Sequence, residues 1–401
     1  MTVSAFELEL PVLDIVGLER DEALAAASAV REQHWLARSP LGFAVTRYRD
    51  AVAVLRDRRF HSALSQIPRM AGVDASGYFA NRRPSILSME GDEHARLRRL
   101  VAPAFTPASA DRLRPVMRAV VAGLVDAVVP AGRCDLVADV CEPYPIPIIC
   151  ELLGAPKADW RRFSAWATDI FRIFNQDLER DLPAIARASD ELGTYVRAMI
   201  EERRSSPADD LLSDLIAVEE AGDRLDTDEM AMLAEAVLMA GTDTTRNQLA
   251  CSMALLASHP DQWELLRASP ELAPRAVEET MRYLGAVRGT VRFASEDITY
   301  RDVTFPAGTL VSVAVAAANR DPEVVDEPDT FDLTRERANT HLTFGSGIHH
   351  CLGAALARAE LSEALVVLAE RMPALAFDGP VTWKPSTFGI WGPATLPLRF
   401  A

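Results

Sequence analysis

The chain has 401 residues, of which 49% are hydrophobic, and a formal net charge of −16. This composition excludes an intrinsically disordered chain, and the acidic charge disfavours nucleic acid or an anionic membrane as a partner. Five irregularly spaced cysteines argue against a disulfide framework and indicate a reducing compartment. We find no signal peptide, membrane anchor, linker or repeat, so we expect a soluble, cytoplasmic protein with a single domain over 1–401.

The first ninety residues predict short regular elements followed by a long loop. We expect helices over 21–38 and 49–58 and a strand over 42–47. Residues 61–88 contain several prolines and glycines without a clear hydrophobic period, which is typical of a loop. Long ordered loops with apolar side chains often face a ligand, so this one offers candidates for a pocket: Met70, Val73, Tyr78 and Phe79.

The next helix, expected over 92–102, carries cationic side chains on two faces. At about 100° per residue, His94 and Arg98 share one face of this helix. Arg96 and Arg99 share the opposite face, which we expect to be exposed to solvent. The two faces therefore have different roles, unless all four side chains simply solvate a surface helix.

A helix of about thirty residues is expected to begin at the N-cap Asp226, supported by Glu229 three positions later, and to end before a His-Pro pair. Its apolar run is interrupted over 241–248 by glycine, threonine and aspartate, which are poor helix formers. A carboxylate next to a hydroxyl can pass protons singly to a reacting group, which is one use for Asp243 and Thr244. The alternative is structural, with threonine hydroxyls bonded to carbonyls one turn earlier.

Farther along, a helix over 277–283 places Glu279 and Arg282 at positions i and i+3. This spacing is common on exposed helices and is a weak signal by itself. Strands are expected over 298–305 and 309–316, joined through a Pro-Ala-Gly turn.

The most informative stretch is Phe344-Gly345-Ser346-Gly347-Ile348-His349-His350-Cys351-Leu352-Gly353. Its glycines allow a tight loop, and Cys351 is expected to begin a helix that continues to about Arg371. The peptide dipoles at a helix N-terminus lower the pKa of a thiol, so this sulfur is suited to be an anionic ligand. A merely buried cysteine is the common alternative, whereas a zinc site is disfavoured by the spacing of the other four cysteines.

This stretch resembles the haem-binding loop of the cytochrome P450 family, in which Phe, Gly, His, Cys and Gly recur at these spacings. The run Ala240-Gly241-Thr242-Asp243-Thr244-Thr245 resembles the acid–alcohol motif of that family, and Glu279 with Arg282 matches its Glu-x-x-Arg pair. The three motifs are in the family's order, and the resemblance covers roughly 42–400. It implies a cytochrome P450 fold, mainly α with a small β-rich lobe formed mainly by about 40–60, 290–320 and 380–401.

The resemblance also implies roles for individual residues. Cys351 is the implied axial thiolate ligand of the iron in haem b, a ligand that favours O–O cleavage. Asp243 and Thr244 are the implied catalytic pair, and Glu279 and Arg282 an implied structural pair tied to the meander 319–335. The other implied cofactor-binding residues are His94, Arg98, Ala240, Gly241, Arg292, Phe344, His349 and Gly353, with His341 near the same cofactor face; His350 has no implied role.

Further residues are candidates for a substrate pocket. In the helical middle of the chain, Phe171 and Phe174 are either ordinary core or contacts made by a mobile lid. Val287 follows the Glu-x-x-Arg helix, and Ile390 and Trp391 lie in a turn near the C-terminus. These side chains are apolar, so we expect a hydrophobic substrate.

The resemblance implies a monooxygenase that inserts one oxygen atom from O2 into a hydrophobic small molecule, such as a terpenoid, steroid, fatty acid or polyketide-like compound. The chain has neither a dinucleotide-binding loop nor the cysteine set of an iron–sulfur cluster. Electrons are therefore expected from a ferredoxin and its reductase, with the ferredoxin docking at Arg96 and Arg99. Two alternatives stay open: a peroxide-driven peroxygenase, disfavoured by the acid–alcohol pair, and a catalytically silent activating partner, disfavoured by Cys351.

Overall fold

The computed structural model describes residues 2–400 except 76–77, 79–82, 175–176, 221–224, 337–339 and 385–389, and leaves the side chains of residues 218 and 220 undescribed. The α-helices are α1 (Arg20–Gln33), α2 (Tyr48–Arg56), α3 (Ile67–Met70), α4 (Gly91–Val101), α5 (Pro107–Val128), α6 (Pro145–Leu153), α7 (Trp160–Phe171), α8 (Leu178–Ser205), α9 (Leu211–Glu220), α10 (Thr227–Ala257), α11 (Pro260–Ala268), α12 (Ala273–Tyr283), α13 (Val315–Ala318) and α14 (Ala354–Arg371). The strands are β1 (Val3–Ser4), β2 (Leu36–Ser39), β3 (Gly42–Val45), β4 (Phe60–Ser62), β5 (Arg133–Asp135), β6 (Thr290–Ala294), β7 (Ile298–Tyr300), β8 (Val303–Phe305), β9 (Leu310–Val313), β10 (Ala376–Phe377), β11 (Thr382–Trp383), β12 (Pro393–Thr395) and β13 (Pro397–Arg399).

The strands form small sheets beside a helical majority, which confirms the predicted fold class. The largest sheet has five strands in the order β2-β3-β9-β6-β4. Strands β3 and β9 run parallel, and the other neighbours run antiparallel. Arg292 of β6 is the register partner of Ser62 of β4. Among the described residues, the longest apolar helices still fall short of what a bilayer crossing needs.

Helix α10 lies at the centre of the helical part. It packs against α6, α7, α8, α12 and α14, and most of its 31 residues are buried. Burial on all sides explains why its sequence is an apolar run rather than an amphipathic stripe. The predicted capping box is confirmed: the Glu229 N–H donates to Asp226 Oδ1 at 2.8 Å, and the Asp226 N–H to Glu229 Oε2 at 3.2 Å.

Several of the predicted element boundaries differ in the structure. The first long helix ends at Gln33, because residues 36–39 pair with β3 instead of continuing it. The strand expected over 298–305 is two strands, separated by a turn in which Arg301 has a φ of 53°. The strand expected over 309–316 ends at Val313. The last long helix begins at Ala354 rather than at Cys351.

Candidate active site

The loop before α14 presents Cys351 through two tight turns. Gly345 and Gly347 have φ values of 71° and 74°, in the left-handed region that favours glycine. A Cβ at Gly347 would overlap the carbonyl oxygen of Leu55 in α2, so only glycine lets the loop lie against that helix. The Cys351 N–H donates to the Phe344 carbonyl oxygen at 2.8 Å. These contacts fix the part of the loop that leads to the cysteine.

Cys351 differs from the other cysteines in exposure. It is exposed, whereas the remaining four are buried or half-buried. Protein atoms still enclose much of the thiol, and this burial raises the pKa of Cys351, while the Gly353 N–H and the guanidinium groups of Arg98 and Arg358 act in the opposite direction. The prediction of a lowered pKa is therefore wrong for the protein by itself. The reason is that α14 begins three residues beyond the sulfur, so burial outweighs the helix dipole.

Four cationic or donor side chains converge beside this loop. They are His94 and Arg98 of α4, Arg292 of β6 and His349 of the loop, and we call them the cationic cluster. The ring centroids of His94 and His349 are 4.7 Å apart, and Arg98 donates to the carbonyl oxygen of His350. Burial lowers the pKa of each of the four groups, and neighbouring positive charges lower the pKa of the two histidines further.

In the described part of the chain the cationic cluster contacts one carboxylate, that of Glu90, whose Oε1 lies 2.9 Å from His349 Nε2. Among the described residues neither Arg98 nor Arg292 forms an ion pair, and Arg292 donates to the Thr290 hydroxyl at 3.0 Å and to a neighbouring carbonyl. Arg292 is buried and Arg98 half-buried, and cations removed from water without carboxylate partners are unfavourable unless an anion binds them. The cluster therefore fits a ligand with two carboxylates lying next to the Cys351 sulfur, as haem would.

The middle of α10 combines close packing with one exposed turn. A Cβ at Gly241 would overlap Cδ1 of Ile149 in α6, so this glycine has a packing role. Ala240 is exposed although most of α10 is buried, so this turn borders open space. The Thr244 hydroxyl donates to the Ala240 carbonyl oxygen at 2.7 Å, and the Thr242 hydroxyl makes the equivalent bond at 2.6 Å. The structural alternative is thus present for both threonines.

Asp243 is buried and forms an ion pair with Arg246, one turn later on α10. A second cation lies nearby, because Lys384 Nζ donates to Asn247 Oδ1 at 2.8 Å. Burial lowers the pKa of Lys384, and the charge of Asp243 acts in the opposite direction. Among the described residues, the Asp243 carboxylate makes no hydrogen bond to the Thr244 hydroxyl. Sequence analysis identified neither cation, although the i, i+3 spacing of Asp243 and Arg246 was a visible signal.

Glu279 and Arg282 form a completely buried pair on α12. Two hydrogen bonds of 2.8 Å join them. Arg282 also donates to the Thr330 carbonyl oxygen at 3.0 Å, and Glu279 accepts from the Asp332 N–H at 3.1 Å. The pair thus connects α12 to the irregular segment that precedes the cysteine loop, and removing one partner would leave a buried charge.

Comparisons with known proteins place this chain in a family. Residues 158–371 match the family model described as Cytochrome P450. Luteothin monooxygenase from Streptomyces thioluteus is 36% identical over 396 residues, which are 98% of this chain and 96% of the relative. The chain belongs to the cytochrome P450 family.

Further relatives support the same conclusion. Mycinamicin IV hydroxylase/epoxidase from Micromonospora griseorubida is 39% identical to this P450 over 376 residues, covering 92% of this chain and 89% of the relative. The crystal structure of CalO2 has a TM-score of 0.89 at 28% identity and covers 97% of this chain and 99% of that one. The homologues are named as monooxygenases and hydroxylases, and this chain is a P450 monooxygenase.

The pocket candidates near the C-terminus of this P450 differ in position. Val287 and Ile390 meet in an isolated antiparallel bridge, so the structure brings these two together. Trp391 lies in the core, with 4% of its surface exposed and its ring stacked on that of Trp383 at 4.4 Å. Residues 388–389 of this turn lie outside the described residues.

The candidates nearer the N-terminus are spread over two regions. Phe171 and Phe174 are half-buried and stack with their ring centroids 6.0 Å apart. Val73 packs against the apolar side chains of the first turns of α8. Met70 is half-buried at the end of α3, and Tyr78 is 42% exposed; Phe79 lies outside the described residues.

The two faces of α4 agree only partly with the prediction. Arg99 is exposed, but Arg96 forms an ion pair with Glu229 at the start of α10, where Arg83 also approaches the same carboxylate. The expectation that Arg96 faces solvent is therefore wrong. The physical reason is that the carboxylate of the capping box is buried and needs cationic partners.

Arg358 is a residue of the site that sequence analysis missed. Its guanidinium lies 4.4 Å from the centre of the Phe344 ring, and its Nε is 2.6 Å from Glu278 Oε1. His341 Nε2 lies 3.3 Å from the same carboxylate, so Glu278 links His341 to Arg358. Burial raises the pKa of Glu278, but His341 and Arg358 outweigh this and lower it to about 2. No spacing in the sequence indicates these contacts.

Proposed function

We propose that this P450 binds haem b with the Cys351 sulfur as a ligand of the iron, and that it inserts one oxygen atom from O2 into a hydrophobic small molecule. The position of Arg98 carries the proposal. Its guanidinium donates to the carbonyl oxygen of His350, next to Cys351, and its charge also acts on His94 and His349. One side chain thus contacts the loop that holds the candidate metal ligand and also belongs to the anion-binding cluster. This arrangement suits a ligand that contains both a metal ion and carboxylates.

Haem supplies the activation of O2 and the oxidation of the substrate when it is bound. Cys351 would hold the iron, flanked by Phe344 and Gly353, and the cationic cluster would bind the two haem carboxylates by charge-assisted hydrogen bonds. Ala240 and Gly241, on the turn of α10 that borders open space, would line the haem site. These residues bind and orient; they do not transfer protons.

Proton transfer is proposed for Asp243 and Thr244. The Thr244 hydroxyl directs its proton to the Ala240 carbonyl oxygen, so the lone pairs on Oγ1 are free to accept a hydrogen bond. The Asp243 carboxylate is held by Arg246. To relay a proton, Asp243 must leave this ion pair, take up a proton from solvent and pass it to Thr244 Oγ1. Thr244 must at the same time break its bond to the Ala240 carbonyl and release its own hydroxyl proton into the open space beside Ala240. Arg246 is therefore proposed to control when Asp243 acts.

For the substrate we favour a polyketide-like compound, which the similarity to luteothin monooxygenase and to mycinamicin IV hydroxylase/epoxidase supports. The half-buried apolar residues Val287, Ile390, Phe171 and Phe174 would contact it. Electrons would come from a ferredoxin and its reductase in the cytoplasm. From the sequence, the ferredoxin is expected to dock at Arg96 and Arg99. Of these two, Arg99 is exposed on α4, and we propose that it contacts the acidic ferredoxin.

The carbon monoxide difference spectrum of the reduced protein tests haem–thiolate ligation. The wild type should show the band of a thiolate-ligated haem, and Cys351→Ala should lose it. Cys134→Ala, which changes a half-buried cysteine of β5, is the matched control and should keep the band. A wild-type spectrum without this band would refute the proposal.

A peroxide-driven reaction is the second candidate, favoured by the engagement of Asp243 with Arg246 and of Thr244 with Ala240. Asp243→Asn distinguishes the two. With O2 and a redox chain, the variant should turn over at least about 100-fold more slowly, since it cannot relay protons. With hydrogen peroxide it should stay close to the wild type. Faster turnover of the wild type with peroxide than with the redox chain would decide for the peroxygenase.

A further inference from the structure

Glu90 lies beside the cationic cluster, and the proposed function gives its carboxylate no role. Glu90 occupies the N-cap position of α4 but makes no cap hydrogen bond. Its Oε1 accepts from the Ser62 N–H at 2.6 Å and lies 2.9 Å from His349 Nε2. Its Oε2 is buried without a hydrogen-bond partner in the described part of the chain. Glu90 therefore connects α4, β4 and the cysteine loop.

The connection extends to Arg292. Ser62, whose N–H binds Glu90, is the register partner of Arg292 in the β4–β6 pair. Glu90 thus relates the position of His349, on the loop, to the strand that carries Arg292. Both residues belong to the cationic cluster. Since two carboxylates on one rigid ligand have a limited range of separations, their protein partners must be held at a matching separation.

We infer that Glu90 is a positioning residue for haem, holding His349 at a fixed place relative to Arg292 so that the cationic cluster matches the haem carboxylates. This inference rests on the proposed function, because it takes haem as the ligand. By charge alone, a carboxylate here would repel an anion and weaken its binding. Its hydrogen bonds to Ser62 and His349 give a physical reason for its presence.

The reach of the side chain and its charge can be separated by two substitutions. Glu90→Asp keeps the charge but is one methylene too short to bridge Ser62 and His349. Glu90→Gln keeps the reach and an acceptor oxygen but removes the charge. Glu93→Gln, which neutralises an exposed carboxylate in the first turn of the same helix, is the control.

Transfer of haem from each purified holoprotein to apomyoglobin measures haem retention. Glu90→Asp should lose haem at least about 10-fold faster than the wild type, the effect typical of an orienting partner, whereas Glu90→Gln and Glu93→Gln should stay within about twofold. Resonance Raman bands of the haem propionates should shift in Glu90→Asp and remain in place in the other two proteins. This second measurement reports the carboxylate contacts rather than overall stability.

Three results would overturn the inference: wild-type retention in Glu90→Asp, haem loss in Glu90→Gln as fast as in Glu90→Asp, or slower haem loss in either variant than in the wild type. The last would mean that Glu90 only occupies the place of a haem carboxylate. A wild-type protein that binds no haem at all would instead contradict the proposed function, so the two failures are distinguishable.

Discussion

Glu360 of α14 should make the stability of this P450 depend on pH. The side chain is 1% exposed, and its Oε1 has no hydrogen-bond partner among the described residues. Burial raises its pKa from 4.5 to about 8, while a hydrogen bond from Thr245 acts in the opposite direction. Between these two pH values the folded protein binds the Glu360 proton and the unfolded chain does not. The free energy of unfolding therefore falls as pH rises through this window.

The size of the effect follows from the two pKa values. They lie about 3.5 pH units apart, and each unit corresponds to about 1.4 kcal/mol, so the upper limit is about 5 kcal/mol. Relaxation of the surrounding protein and entry of water would reduce it. Glu360→Gln is nearly isosteric and stays neutral at every pH, so it should remove this contribution.

Urea unfolding followed by circular dichroism between pH 5 and pH 8 tests this reasoning. The wild type should lose stability across the range, and Glu360→Gln should lose less of it, with the difference greatest at pH 8. Glu370→Gln, which removes an exposed carboxyl group of the same helix, should keep the wild-type dependence. An identical pH dependence in the wild type and in Glu360→Gln would refute the argument.

Two other predictions concern packing and electron transfer. Gly241→Ala should lower the free energy of unfolding by about 1–2 kcal/mol, because the new methyl group overlaps Cδ1 and Cγ1 of Ile149. Ile149→Val removes Cδ1, so the double variant should recover part of the loss in a urea titration. Arg99→Glu should slow reduction by ferredoxin several-fold at low salt, and less at high salt because the charges are screened. Arg187→Glu, which reverses an exposed charge on α8, is the control and should leave the stopped-flow reduction rate unchanged. Equal reduction rates for the Arg99 and Arg187 variants would exclude docking at Arg99.

The single-domain prediction stays a prediction, but several local features followed from the sequence alone. The capping box of α10 and the end of α14 at Arg371 were predictable because they depend on residues a few positions apart. The glycine loop around Cys351 was predictable for the same reason, since positive φ values need glycine locally. The family resemblance rests on short-range patterns of this kind, namely the cysteine loop, the run 240–245 and the pair Glu279 and Arg282.

Contacts between distant segments could not be predicted in the same way. The ion pair of Arg96 with Glu229, the pairing of residues 36–39 as a strand and the bonds of Glu90 to Ser62 and His349 all join residues far apart in the chain. Local sequence does not encode which of several cations reaches a buried carboxylate.

The sequence by itself determined which residues are available for the chemistry, in the three motifs that resemble those of the cytochrome P450 family. The tertiary structure decided which distant partners the buried groups meet: Arg96 binds Glu229, Glu90 binds Ser62 and His349, and burial raises the pKa of Cys351. The physical reason is that helix caps and tight turns depend on neighbouring residues, whereas burial and ion pairing depend on the packing of the whole chain.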